Sequence, residues 1–483
     1  SYLGINQFHT AAAVGPDSPL EAIFPIVAGN DLYREVSFDG GIPNMQFGPA
    51  WLALTAGLGL LNPVVEHRAD PAQIPVTQAE HIPGLASFQA AMMADILANG
   101  ETSYEGEWWA ARNPASLLER VVANGIPAFM VGGWHDFFQA GGLRNYAGLQ
   151  NAWAGRPVGA AMEPGQPVTG RYQLVMGPWY HGTVDQGLLE RLQLAWFDTW
   201  LKGEPTGMAD TAAPLHLHQG GGGFVDTARY PLEEATPTPL FLGEGGTLTA
   251  TEPAAGSGSN AADSILFTGV GSPCNRATDV WGLGGPSALG GVLGPLDGCI
   301  ADDRSIQAGP GALTYTTEPM AEATALAGPI DVTLFATSTR SDTMFVATIE
   351  DIDETGASHP LTSGALLGSF RALDPEKTWT SPDGRPLMPW HPYTKESAKP
   401  VTPGEVTRYD IEVPPVFSTI PAGHRLRLTI TTSDFPHLLP TPAQLVNLAG
   451  GIYGVQRHAT AASFVNLPLA PAGAFPTGCA ICS

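Results

Sequence analysis

Pro127-Ala-Phe-Met-Val131 runs into Gly132-Gly-Trp-His-Asp136, and Tyr172-Gln-Leu-Val-Met176 runs into Gly177-Pro-Trp-Tyr-His181. In both, a short apolar run passes into glycine, then aromatic residues, then an ionisable side chain. A helical pattern follows each, Leu143 to Trp153 and Leu188 to Leu201. Short apolar runs bounded by turn residues suit strands buried on both faces. Strands alternating with helices argue a parallel sheet of crossover units. In such sheets functional side chains gather just past the carboxyl ends of the strands. Asp136 and His181 both stand there.

Working outward, residues 1–30 read as a helix start, a turn at Gly15-Pro16-Asp17 and a third apolar run, Ala22-Ile-Phe-Pro-Ile-Val-Ala28. From Asn30 to about Arg120, helical patterns such as Trp51-Leu-Ala-Leu-Thr-Ala and Leu85-Ala-Ser-Phe-Gln-Ala-Ala-Met-Met alternate with Pro/Gly breaks. After Gly203 the texture becomes period two. Leu215-His-Leu-His, Ile330-Asp-Val-Thr-Leu-Phe-Ala, Met344-Phe-Val-Ala-Thr-Ile and His424-Arg-Leu-Arg-Leu-Thr-Ile-Thr read as strands of an all-β sandwich. The division this predicts is an α/β core in 1–30 and 120–205, a helical insertion in 31–119 and a β-sandwich in 206–483.

With 483 residues, 43% of them hydrophobic, the chain can bury substantial cores. Its net charge is -24, and its lysines are Lys202, Lys377, Lys395 and Lys399. Phosphate backbones and anionic lipid need basic patches, so nucleic acid and membrane surfaces are poor partners for this balance. The sequence holds no unbroken run of eighteen apolar residues. The four cysteines form two local pairs, Cys274 with Cys299 and Cys479 with Cys482. That pairing suits disulfides in an oxidising compartment, secreted or periplasmic, with the cytoplasm as the alternative. Cys479-Ala-Ile-Cys482 could instead be a redox or half-metal motif, but no second ligand pair stands near it in sequence.

Acyl transfer by serine needs a hydroxyl on a sharp turn, an imidazole to take its proton, a carboxylate to orient that imidazole, and N–H donors for the oxyanion. In α/β-hydrolases these come in the order serine, acid, histidine. Ser1, Asp136 and His181 fall in that order. Ser1-Tyr2-Leu3-Gly4 with Gln7, Gly133 to Asp136, Gly177 to His181, Phe197-Asp-Thr-Trp-Leu-Lys-Gly203 and Thr432-Ser-Asp-Phe-Pro436 together resemble the family of bacterial cocaine esterase, X-prolyl dipeptidyl aminopeptidases and α-amino acid ester hydrolases. The resemblance implies an α/β-hydrolase core, an inserted helical cap and a C-terminal jelly roll. It also implies Ser1 as nucleophile, Asp136 as acid, His181 as base and the Tyr2 backbone N–H as one oxyanion donor.

The family motif is Gly-x-Ser-Tyr-x-Gly, whereas this sequence begins at the serine. The family's second oxyanion donor is a tyrosine hydroxyl well before the nucleophile, which no residue here can supply. A chain opening at Ser1 would keep strands six, seven and eight of the core, centred near 22–28, 127–131 and 172–176. The expectation is then an apolar edge at strand six and little activity without a preceding segment. An N-terminal-nucleophile hydrolase, with the Ser1 amine as its base, would need neither the Asp136 loop nor the His181 loop.

Trp134, Phe137, Phe138, Trp179 and Tyr180 flank the triad positions and could line an acyl pocket or form core. Asp185 reads as a helix-start carboxylate rather than the triad acid. His216 and His218 read as a solvated strand face rather than metal ligands. Glu350, Asp351, Asp353 and Glu354 before Gly356 read as a hairpin turn rather than a calcium loop. The leading function is ester hydrolysis on a small molecule, with no cofactor or metal required. An X-Pro dipeptidyl peptidase or amino-ester acylase is the alternative, with Asp31 or Glu35 receiving the substrate amine. A glycan- or protein-binding β-sandwich without catalysis is the rival from another class.

Overall fold

The computed structural model describes residues 2–254, 261–284 and 300–482. Its organising sheet runs Ala128–Gly133, Tyr172–Gly177, Leu215–His218 and Phe224–Thr227, the first three parallel and the last antiparallel. The first two strands are buried along their whole length, as their unbroken apolar runs require. Outside Ala128–Gly133, Ile23 and Ile26 make parallel bridges to Ala128 and Val131. The expected strand at 22–28 is therefore reduced to two bridges. Pro25 has no N–H to give a ladder, and Val27 turns out of the extended region at φ 45°.

Leu215–His218 corrects a second expectation. Its alternation suggested a sandwich strand, but it pairs with Tyr172–Gly177 in the α/β sheet, which continues to Thr227, past the expected boundary at 205. His216 is 1% exposed and stacks over Phe129 at 6.4 Å. The polar residue of the alternation is satisfied by a half-buried carboxylate on the neighbouring strand, Asp226, rather than by water. Period two cannot distinguish those cases.

Helices Tyr2–Ala13, Gln139–Trp153 and Gln186–Lys202 flank this sheet. The first buries Ile5, Phe8, Ala11 and Ala12 and lies so close to the 22–28 segment that a Cβ on Gly4 would meet the Ile26 carbonyl oxygen at 2.6 Å. Gln7 Oε1 accepts the Phe24 N–H at 2.8 Å, fixing that approach. Asp185 caps the third helix by accepting the Leu188 N–H at 2.7 Å, which gives this carboxylate its structural role.

The insertion carries helices Gly48–Glu66, Ile74–Leu85 and Ala91–Leu97. Gly48–Glu66 has a mean hydropathy of 1.3 and by length and composition could cross a membrane, although Pro49, Asn62 and Pro63 interrupt its apolar run. Leu54, Leu58, Leu61 and Val65 on it are exposed.

Apart from two short hairpin pairings, the remaining strands build two larger antiparallel sheets. One has the order Ala312–Thr316, Arg425–Thr431, Met344–Ile352, Ser358–Leu367. The other centres on Thr324–Ser338, which pairs with Thr407–Ile420, Phe464–Pro471 and Ile452–His458. Leu326, Val332, Val346, Ile349, Leu428 and Val465, drawn from both sheets, share one core. The acidic run is a hairpin turn. Asp353 Oδ1 accepts the N–H groups of Thr355 and Ala357, and Gly356 supplies the φ of +82° that the turn needs.

Candidate active site

Two backbone bonds zip the strand-end loops together: Trp134 N–H to Gly177 O at 2.9 Å and His135 N–H to Trp179 O at 3.1 Å. The approach depends on glycine. A Cβ on Gly133 would meet the Trp179 carbonyl oxygen at 2.2 Å, and one on Gly177 the Trp179 ring at 2.4 Å. Asp136 is fixed next, its Oδ1 accepting the Phe138 N–H at 2.7 Å. It stands just before the Gln139–Trp153 helix, whose N-terminal dipole favours a carboxylate. Its Oδ2 lies 2.8 Å from His181 Nδ1. Nδ1–H therefore donates to the acid, and Nε2 is left as the proton acceptor. Asp136 is buried, while the His181 side chain keeps 15% of its surface open.

The Phe137 ring lies on the His181 imidazole at 4.3 Å and 14°. The stack continues through Trp281 (4.6 Å, 6°) to His437 (4.8 Å, 21°). Phe47, at the entrance to the helical insertion, packs on Phe137 at 5.4 Å and on Trp281 at 5.6 Å. All three regions of the chain thus meet at one row of rings. A cavity opens beside it, lined by Asp136, Phe137, Trp281, Arg276, Glu35 and His437 among others.

Most charges around this cavity are matched. Arg34 pairs with Asp31 at 2.9 Å and Arg144 with Glu412 at 2.6 Å. Both Asp31 oxygens are taken, by Arg34 Nε and by the Tyr33 N–H. Arg276 donates to Trp134 O and Gln139 Oε1, and burial pushes its guanidinium down to about 10. Burial holds the carboxyl groups of Glu35 and Asp39 well above the ordinary range. Glu35 Oε2 accepts the Asn30 N–H at 2.9 Å. His437 is held by Asp434 through Nδ1 at 2.7 Å, and its buried Nε2 has no hydrogen-bond partner among the described residues.

Of the residues singled out from sequence, Ser1 lies outside the described residues. Tyr2 opens the first helix, where backbone N–H groups lack intrahelical acceptors. Phe137 lines the cavity. Phe138 is buried behind His181, 5.7 Å away. Trp134 and Trp179 are core. Trp134 Nε1 donates to His218 O at 2.7 Å, and Trp179 packs on Phe224 at 6.3 Å. Tyr180 stacks on His135 and hydrogen-bonds Asp279. Burial, with Arg276 nearby, pushes His135 down to about 4. Cys479 and Cys482 form a disulfide. Cys274 is also disulfide-bonded, and its expected partner Cys299 lies outside the described residues. Sequence reading missed Trp281, Arg276 and His437. His437 directly follows the Thr432–Pro436 motif, whereas Trp281 ends the short helix Arg276–Trp281, whose sequence carries no site signal.

The X-Pro dipeptidyl-peptidase (S15 family) profile matches residues 1–183, and the X-Pro dipeptidyl-peptidase C-terminal non-catalytic domain matches residues 208–450. Cocaine esterase of Rhodococcus sp. (strain MB1 Bresler) is 25% identical over 474 residues, covering 90% of this chain and 72% of that protein. Two mycobacterial relatives are 27% identical over 373 residues, and the chain spans 52% of their length. A CocE/NonD family hydrolase from Staphylococcus aureus superposes with a TM-score of 0.63 at 18% identity, over 97% of this chain and 70% of that one. An α-amino acid ester hydrolase gives 0.66 at 17% identity, over 97% and 75%. The chain belongs to the X-Pro dipeptidyl-peptidase (S15) family of serine hydrolases.

Proposed function

We propose that this chain hydrolyses a neutral carboxylic ester through an acyl-enzyme on Ser1. The observation that carries the proposal is the His181 Nδ1 to Asp136 Oδ2 bond of 2.8 Å, beside a cavity just past the strand ends. His181 Nε2 takes the Ser1 hydroxyl proton as the oxygen attacks the ester carbonyl, then returns it to the leaving alcohol. Asp136 holds the imidazolium that forms between those steps. The Tyr2 backbone N–H, at a helix start, donates to the developing oxyanion. Water repeats the sequence on the acyl-enzyme and releases the acid. The jelly-roll region supplies no triad member in this reading but forms part of the acyl wall through Trp281 and His437.

An ester is favoured over a substrate carrying a free amine by the state of the cavity carboxyls. Asp31, one candidate for the amine, is committed to Arg34. Glu35, the other, is buried, which pushes its carboxyl well above the ordinary range, and its Oε2 already accepts the Asn30 N–H. Burial disfavours the charged carboxylate that an ion pair with an ammonium group requires. The resemblance to a cocaine esterase is consistent with this preference. A panel of aryl esters, α-amino acid esters and X-Pro anilides tests the proposal. We expect aryl esters to exceed the others at least tenfold in kcat/KM, with turnover lost in Ser1→Ala. Preference for X-Pro anilides would overturn the substrate class, and full activity in Ser1→Ala the mechanism.

A further inference from the structure

Cys479-Ala-Ile-Cys482 has no companion ligands near it in sequence, but the fold brings two. Gly478 bridges to Val225, and its N–H donates to Phe224 O at 2.8 Å, which lays the tail along the last strand of the α/β sheet. The Ala480 N–H donates to Asp226 Oδ2 at 3.0 Å. On the neighbouring strand His216 Nδ1 stands 2.6 Å from Asp226 Oδ1 and 3.8 Å from Cys479 Sγ. Imidazole nitrogen, carboxylate oxygen and sulfur thus lie within 4.8 Å of one another. Cys482 is joined directly to Cys479.

The far nitrogen of His216 fixes the roles. Gln173 Nε2 donates to Gly170 O at 2.8 Å and Met208 O at 2.6 Å, so its Oε1 is the atom that faces His216 Nε2, at 3.4 Å. An amide oxygen can only accept, so Nε2 carries the hydrogen. Nδ1 then meets a carboxylate oxygen across a gap that a proton or a cation must bridge. One ring nitrogen on the cation and the other donating to an immobilised acceptor is how proteins present a metal-ligating histidine.

We propose that reduction of the Cys479–Cys482 disulfide turns this corner into a zinc-type site, with His216 Nδ1, the Asp226 carboxylate and two thiolates as ligands. Two sulfurs, one imidazole and one carboxylate match the soft-to-borderline tetrahedral preference of Zn²⁺, and Cys-x-x-Cys is a ligand spacing such sites use. In the reductive step a trialkylphosphine gives two electrons to the S–S bond. Water supplies its oxygen to the departing phosphine oxide and its two protons to the thiols. Zn²⁺ then displaces those two protons on binding. Bound metal pins the C-terminal tail to the strands that back the active-site loops, because His218 O accepts from Trp134 Nε1 and Phe224 packs on Trp179.

The test titrates the full chain with Co²⁺ under anaerobic conditions, before and after phosphine reduction. It follows thiolate-to-cobalt charge-transfer absorption and measures retained Zn²⁺ by mass spectrometry after desalting. We expect one equivalent bound to the reduced chain and none to the oxidised one. The Cys479→Ser/Cys482→Ser variant keeps Cys274 and Cys299 and should lose binding. Asp226→Asn should weaken it by about tenfold or more. Absence of the charge-transfer band in the reduced protein, or an undiminished band in either variant, overturns the site. If the double serine variant misfolds by circular dichroism, the oxidised–reduced contrast and Asp226→Asn decide between the same two results.

Discussion

His181 with Asp136 and His216 with Asp226 are two imidazole–carboxylate pairs on one sheet, separated by 2.8 and 2.6 Å. Both imidazoles present Nδ1 to the acid. They differ at the other nitrogen. His181 is partly open beside a cavity, with Nε2 as its remaining acceptor, whereas His216 is enclosed and its Nε2 faces the fixed amide oxygen of Gln173. The short bond alone therefore does not make a catalytic dyad. Access to the second nitrogen separates a proton shuttle from a structural pair.

The largest expected effect comes from breaking the open pair. Asp136→Asn keeps the shape but favours the wrong tautomer of His181, so kcat should fall about 10³ to 10⁴-fold with little loss of thermal stability. Steady-state ester hydrolysis and a melting curve on the same sample check both halves. A rate within tenfold of wild type would remove Asp136 from its proposed role.

A buried carboxyl without an imidazole sharpens the contrast. Asp342 accepts the Thr343 and Ser369 N–H groups, and burial pushes its pKa up to about 6. Between about pH 4 and 6 the folded chain holds a proton that the unfolded chain, with its carboxyl near 3.8, has released. This group's contribution to stability is full below about pH 4 and is lost as pH rises through about 6. Asp342→Asn should therefore stabilise the β region at pH 7.5 by up to about 3 kcal/mol and give no gain at pH 4. Melting curves at the two pH values measure it, and an equal shift at both would refute the buried-charge account.

The closed pair should behave oppositely to the open one. In the oxidised protein His216→Leu leaves Asp226 and Gln173 without their partner, a loss of about 1–3 kcal/mol. We expect kcat to stay within about twofold, since the ring is not among those lining the cavity beside Phe137. Urea unfolding beside an activity assay tests this. A large rate loss at unchanged stability would mean that His216 reaches the chemistry after all.

The difference between the pairs was half legible in the sequence. Asp136 and His181 announce themselves because the close approach of their two strand-end loops needs glycine on both sides. Gly133 and Gly177 leave a local signature for that reason, and the structure brings the two side chains into hydrogen-bond contact. His216 and Asp226 carry no such mark. Leu-His-Leu-His alternates whether water or a carboxylate satisfies His216, and Asp226 lies across a strand pairing that spacing does not reveal. Pro25 hid the loss of a regular strand within an apolar run. Trp281 and His437 reach the cavity from the β region, and tertiary packing alone brings them to Phe137.

The smallest expected effect probes how His181 is kept in place. The Phe137 face covers the imidazole at 4.3 Å, and the ring is itself held by Trp281 and Phe47. A stacked aromatic pair is worth about 0.5–1.5 kcal/mol beyond area burial, so Phe137→Leu should lower kcat roughly three- to tenfold. If the ring positions the base, the loss falls on kcat. If it mainly walls the acyl pocket, KM rises instead. Phe138→Leu is the matched control, since that ring is buried behind the imidazole, tilted at 56°, and its loss should appear in stability before rate. His216 has an aromatic neighbour of its own, Phe129, at 6.4 Å. Phe129→Leu should leave kcat unchanged, because stacking matters to rate only where the second nitrogen is free to move a proton. A kcat loss in Phe129→Leu matching that in Phe137→Leu would show that the two pairs are coupled through the sheet rather than separated by access.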